Sequence, residues 1–121
     1  MPEQVKPPDV EALVIAYLNA EFAEPFSSEV PTSRPALFGR VVEVPFEGIR
    51  DVALYRALVS VECWGTSKPA AKDLALRVVA SLHAATEFYV EAGSPGYLPD
   101  PVSSSPRYVL TAEVFARGGP V

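Results

Sequence analysis

Grouped basic residues are missing from this sequence, and that absence sets the first limit on function. Ten Lys and Arg are scattered among fifteen Asp and Glu, for a net charge of −5. Tight binding to nucleic-acid phosphate depends on clustered cations that release counterions, so that class is disfavoured. An acidic surface past which DNA slides without sticking is still permitted. Cysteine is almost absent as well. Cys63 alone can form neither an internal disulfide nor a Cys-based metal site, which fits a reducing cytoplasm and a plain apolar side chain. No stretch approaches the roughly 20 apolar residues that a membrane span needs. The start, Met1-Pro-Glu-Gln-Val-Lys-Pro-Pro, has neither a basic region nor an apolar core of the signal-peptide kind. The expectation is a soluble protein with no membrane association.

Chemistry-bearing patterns are equally scarce. The one histidine, His83, falls in a helical stretch beside Leu82 and reads as a partly exposed helix residue, not a general base. Ser67, Ser81 and the serines at 103 to 105 sit in no elbow-like, glycine-flanked setting, so no hydrolase signature is present. Gly93-Ser-Pro-Gly and Gly118-Gly match neither phosphate-binding glycine pattern and read as turn glycines. The expectation is no catalytic residue, no metal site, no cofactor and no enzyme activity. Glu43, Glu62 and Glu113 are placed to project from one side of a sheet, as an acid/base or metal set or, more simply, as solvent-facing residues.

What is present is ample core material. Apolar residues make up 49% of the 121 and charged residues 21%, enough to bury one hydrophobic core in one domain, positions 1–121. Thirteen prolines, eleven of them at 2 to 8, 25 to 45 and 95 to 106, punctuate it. They mark a flexible N-terminus at 1–8 and a Pro-rich loop at 94–106, with a tail at 118–121. Asp9 caps a helix to about position 22, whose apolar face is Val10, Leu13, Val14, Tyr17 and Leu18. Prolines 25, 31 and 35 forbid helix before a strand at about 36–44. Positions 45–51 carry turn residues and connect it, as a possible arm, to a strand in which Tyr55, Ala57, Val59, Val61 and Cys63 alternate with polar residues. Ser67 caps a second helix to about position 85. A short strand at 88–91 and a last strand at 107–117 follow. The order is α-β-β-α-(β)-β, an α+β fold in which both helices pack on one face of a mostly antiparallel sheet.

Such a sheet leaves one face bare, and Leu58 and Phe115 lie among polar residues on it, a mixture suited to burial against a neighbouring subunit. A closed ring buries both that face and the sheet edges. Phe46, Ile49, Tyr97 and Leu98 place apolar groups inside irregular segments, which suggests partner contact. Trp64 has two readings, an interface hot spot or a cover over the end of the core. Arg34, Arg40 and Arg56 either meet phosphates or pair across strands with Glu43 or Glu62, and cross-strand pairing is the simpler reading.

Three stretches carry a family resemblance: Asp9-Val-Glu-Ala-Leu-Val-Ile-Ala-Tyr-Leu, then Val30-Pro-Thr-Ser-Arg-Pro-Ala-Leu-Phe-Gly-Arg-Val-Val, then Asp51-Val-Ala-Leu-Tyr-Arg-Ala-Leu-Val-Ser-Val-Glu-Cys-Trp-Gly with the helix after it. In that order, over about 9 to 117, they resemble the tail terminator proteins of long-tailed bacteriophages, especially those of actinobacterial phages. The resemblance implies a structural virion protein at the head-tail junction, assembled in the host cytoplasm. It implies a homohexameric ring that binds the tail tube protein, stops tube polymerisation and offers the surface that joins the head connector. DNA would pass through the lumen without specific binding. By position, the implied tube contacts are Phe46, Glu47, Ile49 and Arg50 and the stretch from Tyr97 to Val102. A head completion or neck protein is the alternative within the same virion. Outside it stand a small enzyme using Glu62, Glu113 and His83, and a ligand-binding module with a pocket between helices and sheet.

Overall fold

The computed structural model describes residues 4–45, 54–117 and 119–120. The first helix, α1 (Val10–Glu21), begins where Asp9 accepts a hydrogen bond from the Ala12 amide at 3.0 Å, and Glu11 adds a negative charge at the positive end of the helix dipole. Its core stripe is narrower than the apolar pattern predicts. Val10, Val14 and Leu18 are fully buried, Tyr17 is half-buried, and Leu13 is 41% exposed. The second helix, α2 (Lys68–Ala84), starts at Ser67, whose hydroxyl accepts from the Ala70 amide at 3.2 Å, with Pro69 in the first turn. It buries Ala71, Leu74, Ala75, Val78 and Leu82. Neither helix is long and apolar enough to cross a membrane.

Two long strands form the middle of the sheet, β4 (Leu54–Trp64) and β7 (Arg107–Arg117), paired antiparallel along their whole lengths. β3 (Phe38–Val44) lies antiparallel on the other side of β4, and β5 (Tyr89–Ala92) on the other side of β7. With β2 (Phe26–Ser27) and β6 (Gly96–Tyr97), the sheet has the order β2-β3-β4-β7-β5, and β6 is also paired to β7. The fold is therefore α+β, with a mostly antiparallel sheet and both helices on one of its faces. Ala57, Val59, Val61 and Cys63 from β4, and Leu110, Ala112 and Val114 from β7, point into the helix layer and form one core with α1 and α2.

Four short pieces of strand escape a periodicity argument. β2 (Phe26–Ser27) runs parallel to β3, and the Asn19 side chain holds it by donating to Phe26 O at 2.9 Å and accepting from Phe26 N at 2.8 Å. The stretch read as an unstructured loop at 94–106 contains β6 (Gly96–Tyr97), which continues the edge along β7. Between the pairs Ala92 with Ala112 and Gly96 with Val109, the edge takes one residue more than β7, a bulge that includes Pro95, which has no amide to offer the ladder. A further pair joins the stretches read as a flexible N-terminus at 1–8 and a tail at 118–121. β1 (Val5–Lys6) pairs antiparallel with β8 (Gly119–Pro120) as a separate two-stranded ribbon. Backbone pairing of two residues needs no side-chain pattern, so none announces it.

Gly65 sits where β4 turns into α2. A Cβ there would lie 2.6 Å from the Ala71 amide nitrogen, a backbone atom, so the turn takes a residue without one.

Candidate functional site

On the sheet face away from the helices, the strand register brings one end of β3, β4 and β7 together. Phe38 stands opposite Trp64, Arg40 opposite Glu62, and Trp64 opposite Arg107. Phe38 and Trp64 stack with ring centroids 4.8 Å apart and planes at 8°. Both are nearly inaccessible, as are Glu62 and Arg107. Burial of two opposite charges costs several kcal/mol each unless their hydrogen bonds are made, and here they are. Arg107 donates through Nη1 to Glu62 at 2.9 Å and through Nε to Leu98 O at 2.8 Å, and its guanidinium lies 5.5 Å over the Trp64 ring. Arg40 donates through Nε to the other Glu62 oxygen, and that bond holds the Arg40 guanidinium above its ordinary pKa.

A loop closes over this end. Asp100, 6% exposed, accepts from Trp64 Nε1 at 3.0 Å, from Arg34 Nη1 at 3.3 Å, and from the Val102 and Ser103 amides at 2.9 and 3.3 Å. The Val102 amide bond is the leading reason that the Asp100 carboxyl is held far below the usual carboxylate range, with the Trp64 and Ser103 bonds adding to it against the cost of burial. A carboxylate whose pKa is lowered by folding stabilises the fold above its unfolded value, about pH 4, and loses that contribution as pH falls toward its folded value. Replacing Asp100 with Asn leaves an amide facing two donors. It is expected to cost about 2 kcal/mol at neutral pH, and the gap between wild type and variant should narrow below about pH 4. Urea denaturation at several pH values reads this directly.

The sequence-derived candidates are placed as follows. Phe46, Glu47, Ile49 and Arg50, with the connecting arm, lie outside the described residues. Trp64 is 2% exposed, with its ring on the face opposite the main core and under the loop, not open to solvent. Tyr97 is 42% exposed at the edge of the sheet, next to Tyr108 and under the Lys68 ammonium, which sits 4.5 Å from its ring centroid. Leu98 follows it, 56% exposed. Arg40 pairs with Glu62 across strands as expected, whereas Arg34 finds Asp100.

One placement is corrected: Glu43 does not share a face with Glu62 and Glu113. It stands opposite Val59, on the helix side, where it accepts from the Tyr55 hydroxyl at 3.1 Å. His83 is exposed on α2, across the sheet from Glu62 and Glu113, so those three are not gathered in one pocket. Among the described residues, no three His, Cys, Asp or Glu are grouped to hold a metal ion. The buried Cys63 thiol is pushed up to about 12, chiefly by desolvation, and is unreactive at neutral pH.

Of the residues that organise this end, Arg107 was missed by sequence reasoning, and Asp100 was included only by position, within the stretch from Tyr97 to Val102, with no role of its own. Asp100-Pro101 with serine at 103 is a turn signal in which the side chain accepts from amides two and three residues on. That local signal was legible; the partnership with Trp64, 36 positions away, was not.

At the other end of the molecule a groove of about 870 Å³ runs between α1 and the β5 edge, with Leu13, Phe88 and Tyr89 on its walls and Phe115 to Arg117 at its base. Tyr89 is 61% exposed there and lies against Phe115 with centroids 5.7 Å apart. No family model and no curated protein matches this sequence.

Proposed function

We propose that this protein is a tail terminator of a long-tailed bacteriophage. In this reading, identical subunits close into a hexameric ring on the end of the finished tail tube. The ring halts polymerisation, joins the head connector and lets DNA through without gripping it. The single observation that supports it best is the one-sided sheet. The helices cover one face, while the other carries half-buried Val42, Val44, Leu58, Val109 and Phe115 between Ser60, Thr111 and Glu113. A face of that mixture suits an isologous or ring neighbour better than open water. The resemblance of the segments from 9 to 117 supplies the virion context, and the acidic balance suits a passage for DNA.

The test is electron microscopy of particles assembled with and without the protein, with tail lengths measured. Tails of uncontrolled length in its absence support termination. Tails of normal length that fail to join heads overturn it in favour of a neck protein, and unchanged particles remove both readings.

A further inference from the structure

Three guanidinium groups, Arg34, Arg40 and Arg107, meet two carboxylates, Glu62 and Asp100, at the loop-covered end of the sheet. These five side chains therefore sum to one positive charge in a protein whose total is −5. The excess is not buried away. Between these side chains lies a cleft of about 240 Å³, walled by Val30 and Val102 as well as by the arginines and Asp100. Arg34 and Arg40 each keep about a third of their side chains exposed, at 35%. Among the described residues, Arg40 commits only Nε and Arg34 only Nη1 to hydrogen bonds, so the remaining guanidinium nitrogens of both are donors beside the cleft. Arg107, by contrast, is locked under the loop and only fixes Glu62.

We infer that this cleft binds a carboxylate presented by an acidic side chain of a partner polypeptide. Guanidinium donors meet a planar carboxylate through paired, charge-assisted hydrogen bonds. One net positive charge matches a monoanion. A dianion such as phosphate brings a second negative charge toward Asp100 and Glu62, which repel it. The rim favours a polypeptide over a small free acid, because Val102, which is 90% exposed, lines the cleft beside Val30 and offers apolar surface for the residue next to the acidic one. The inference does not depend on the proposed role in tail assembly.

Trp64, the only tryptophan, lines the cleft and reports on it through a single indole N–H resonance. The experiment titrates the ¹⁵N-labelled protein, at constant ionic strength, with the blocked dipeptide N-acetyl-Leu-Glu-amide, with acetate and with inorganic phosphate. The expected result is a saturable indole shift with the dipeptide, weaker binding of acetate, and phosphate binding no tighter than the dipeptide. Arg40→Gln and Arg34→Gln should each weaken the dipeptide about tenfold, the loss of one charge-assisted hydrogen bond. Both variants should keep dispersed amide spectra, since Glu62 retains Arg107 in the first and Asp100 retains Trp64 and two loop amides in the second. Absence of a saturable shift, tighter binding of phosphate, or unchanged binding in both variants overturns the inference.

Discussion

Arg107→Met is expected to cost about 3 kcal/mol of folding stability, near the lower end for breaking a buried ion pair. The side chain is 9% exposed, and its loss takes the Nη1 bond from Glu62, the Nε bond from Leu98 O and the guanidinium from the Trp64 ring. Glu62 still has Arg40, which keeps the cost from rising further. Guanidinium denaturation measures it. A second substitution sharpens the result: Glu62→Leu in the Arg107→Met background should recover much of the loss, because an apolar pair no longer leaves one buried Glu62 oxygen without a donor, and Arg40 can turn to water. Arg77→Ala, which removes exposed pairs to Glu24 and Asp73, should cost under about 1 kcal/mol. Similar losses for Arg107→Met and Arg77→Ala would mean that the loop-covered end is wetter than its packing indicates.

The second large effect is expected in the helix layer. Leu74 is fully buried where α2 crosses β4 and β7, and Leu74→Ala should cost about 3 kcal/mol, the transfer of the lost atoms plus the cavity they leave. Leu76, two positions on and 49% exposed, is the control, and Leu76→Ala should change stability by less than about 0.5 kcal/mol. Equal losses at both positions would contradict the orientation of α2.

The contrast between those two leucines is legible in the sequence, because helical spacing puts 71, 74, 75, 78 and 82 on one side. Alternation did the same for β4 and β7, and the caps at Asp9 and Ser67 are side-chain chemistry written into single residues. Other features depend on relations that a local pattern does not contain. Which face Glu43 takes is decided by the register of β3 on β4, and a shift of one residue in that register would carry it to the other face. β2 exists because Asn19 and β3 supply its hydrogen bonds, and β1 and β8 exist because each supplies the other's. The loop-covered end needed three strands and a turn to meet. Sequence reasoning found Trp64 and Arg40 by residue type, took in Asp100 only by position and missed Arg107; the role of both lies in whom they touch.

The order in which the strands occur along the chain bears on how the molecule comes together. β7 is central in the sheet but is made after β3, β4 and α2, and its nearest pair with β4, Trp64 with Arg107, closes a span of 43 residues. Until it arrives, α1, β3, β4 and α2 expose the apolar face on which it will lie. Folding should therefore wait on a late, long-range closure and be slow for a chain of this size. A nascent chain stalled before position 107 should remain dependent on chaperones, since half of its central strand pair has yet to leave the ribosome.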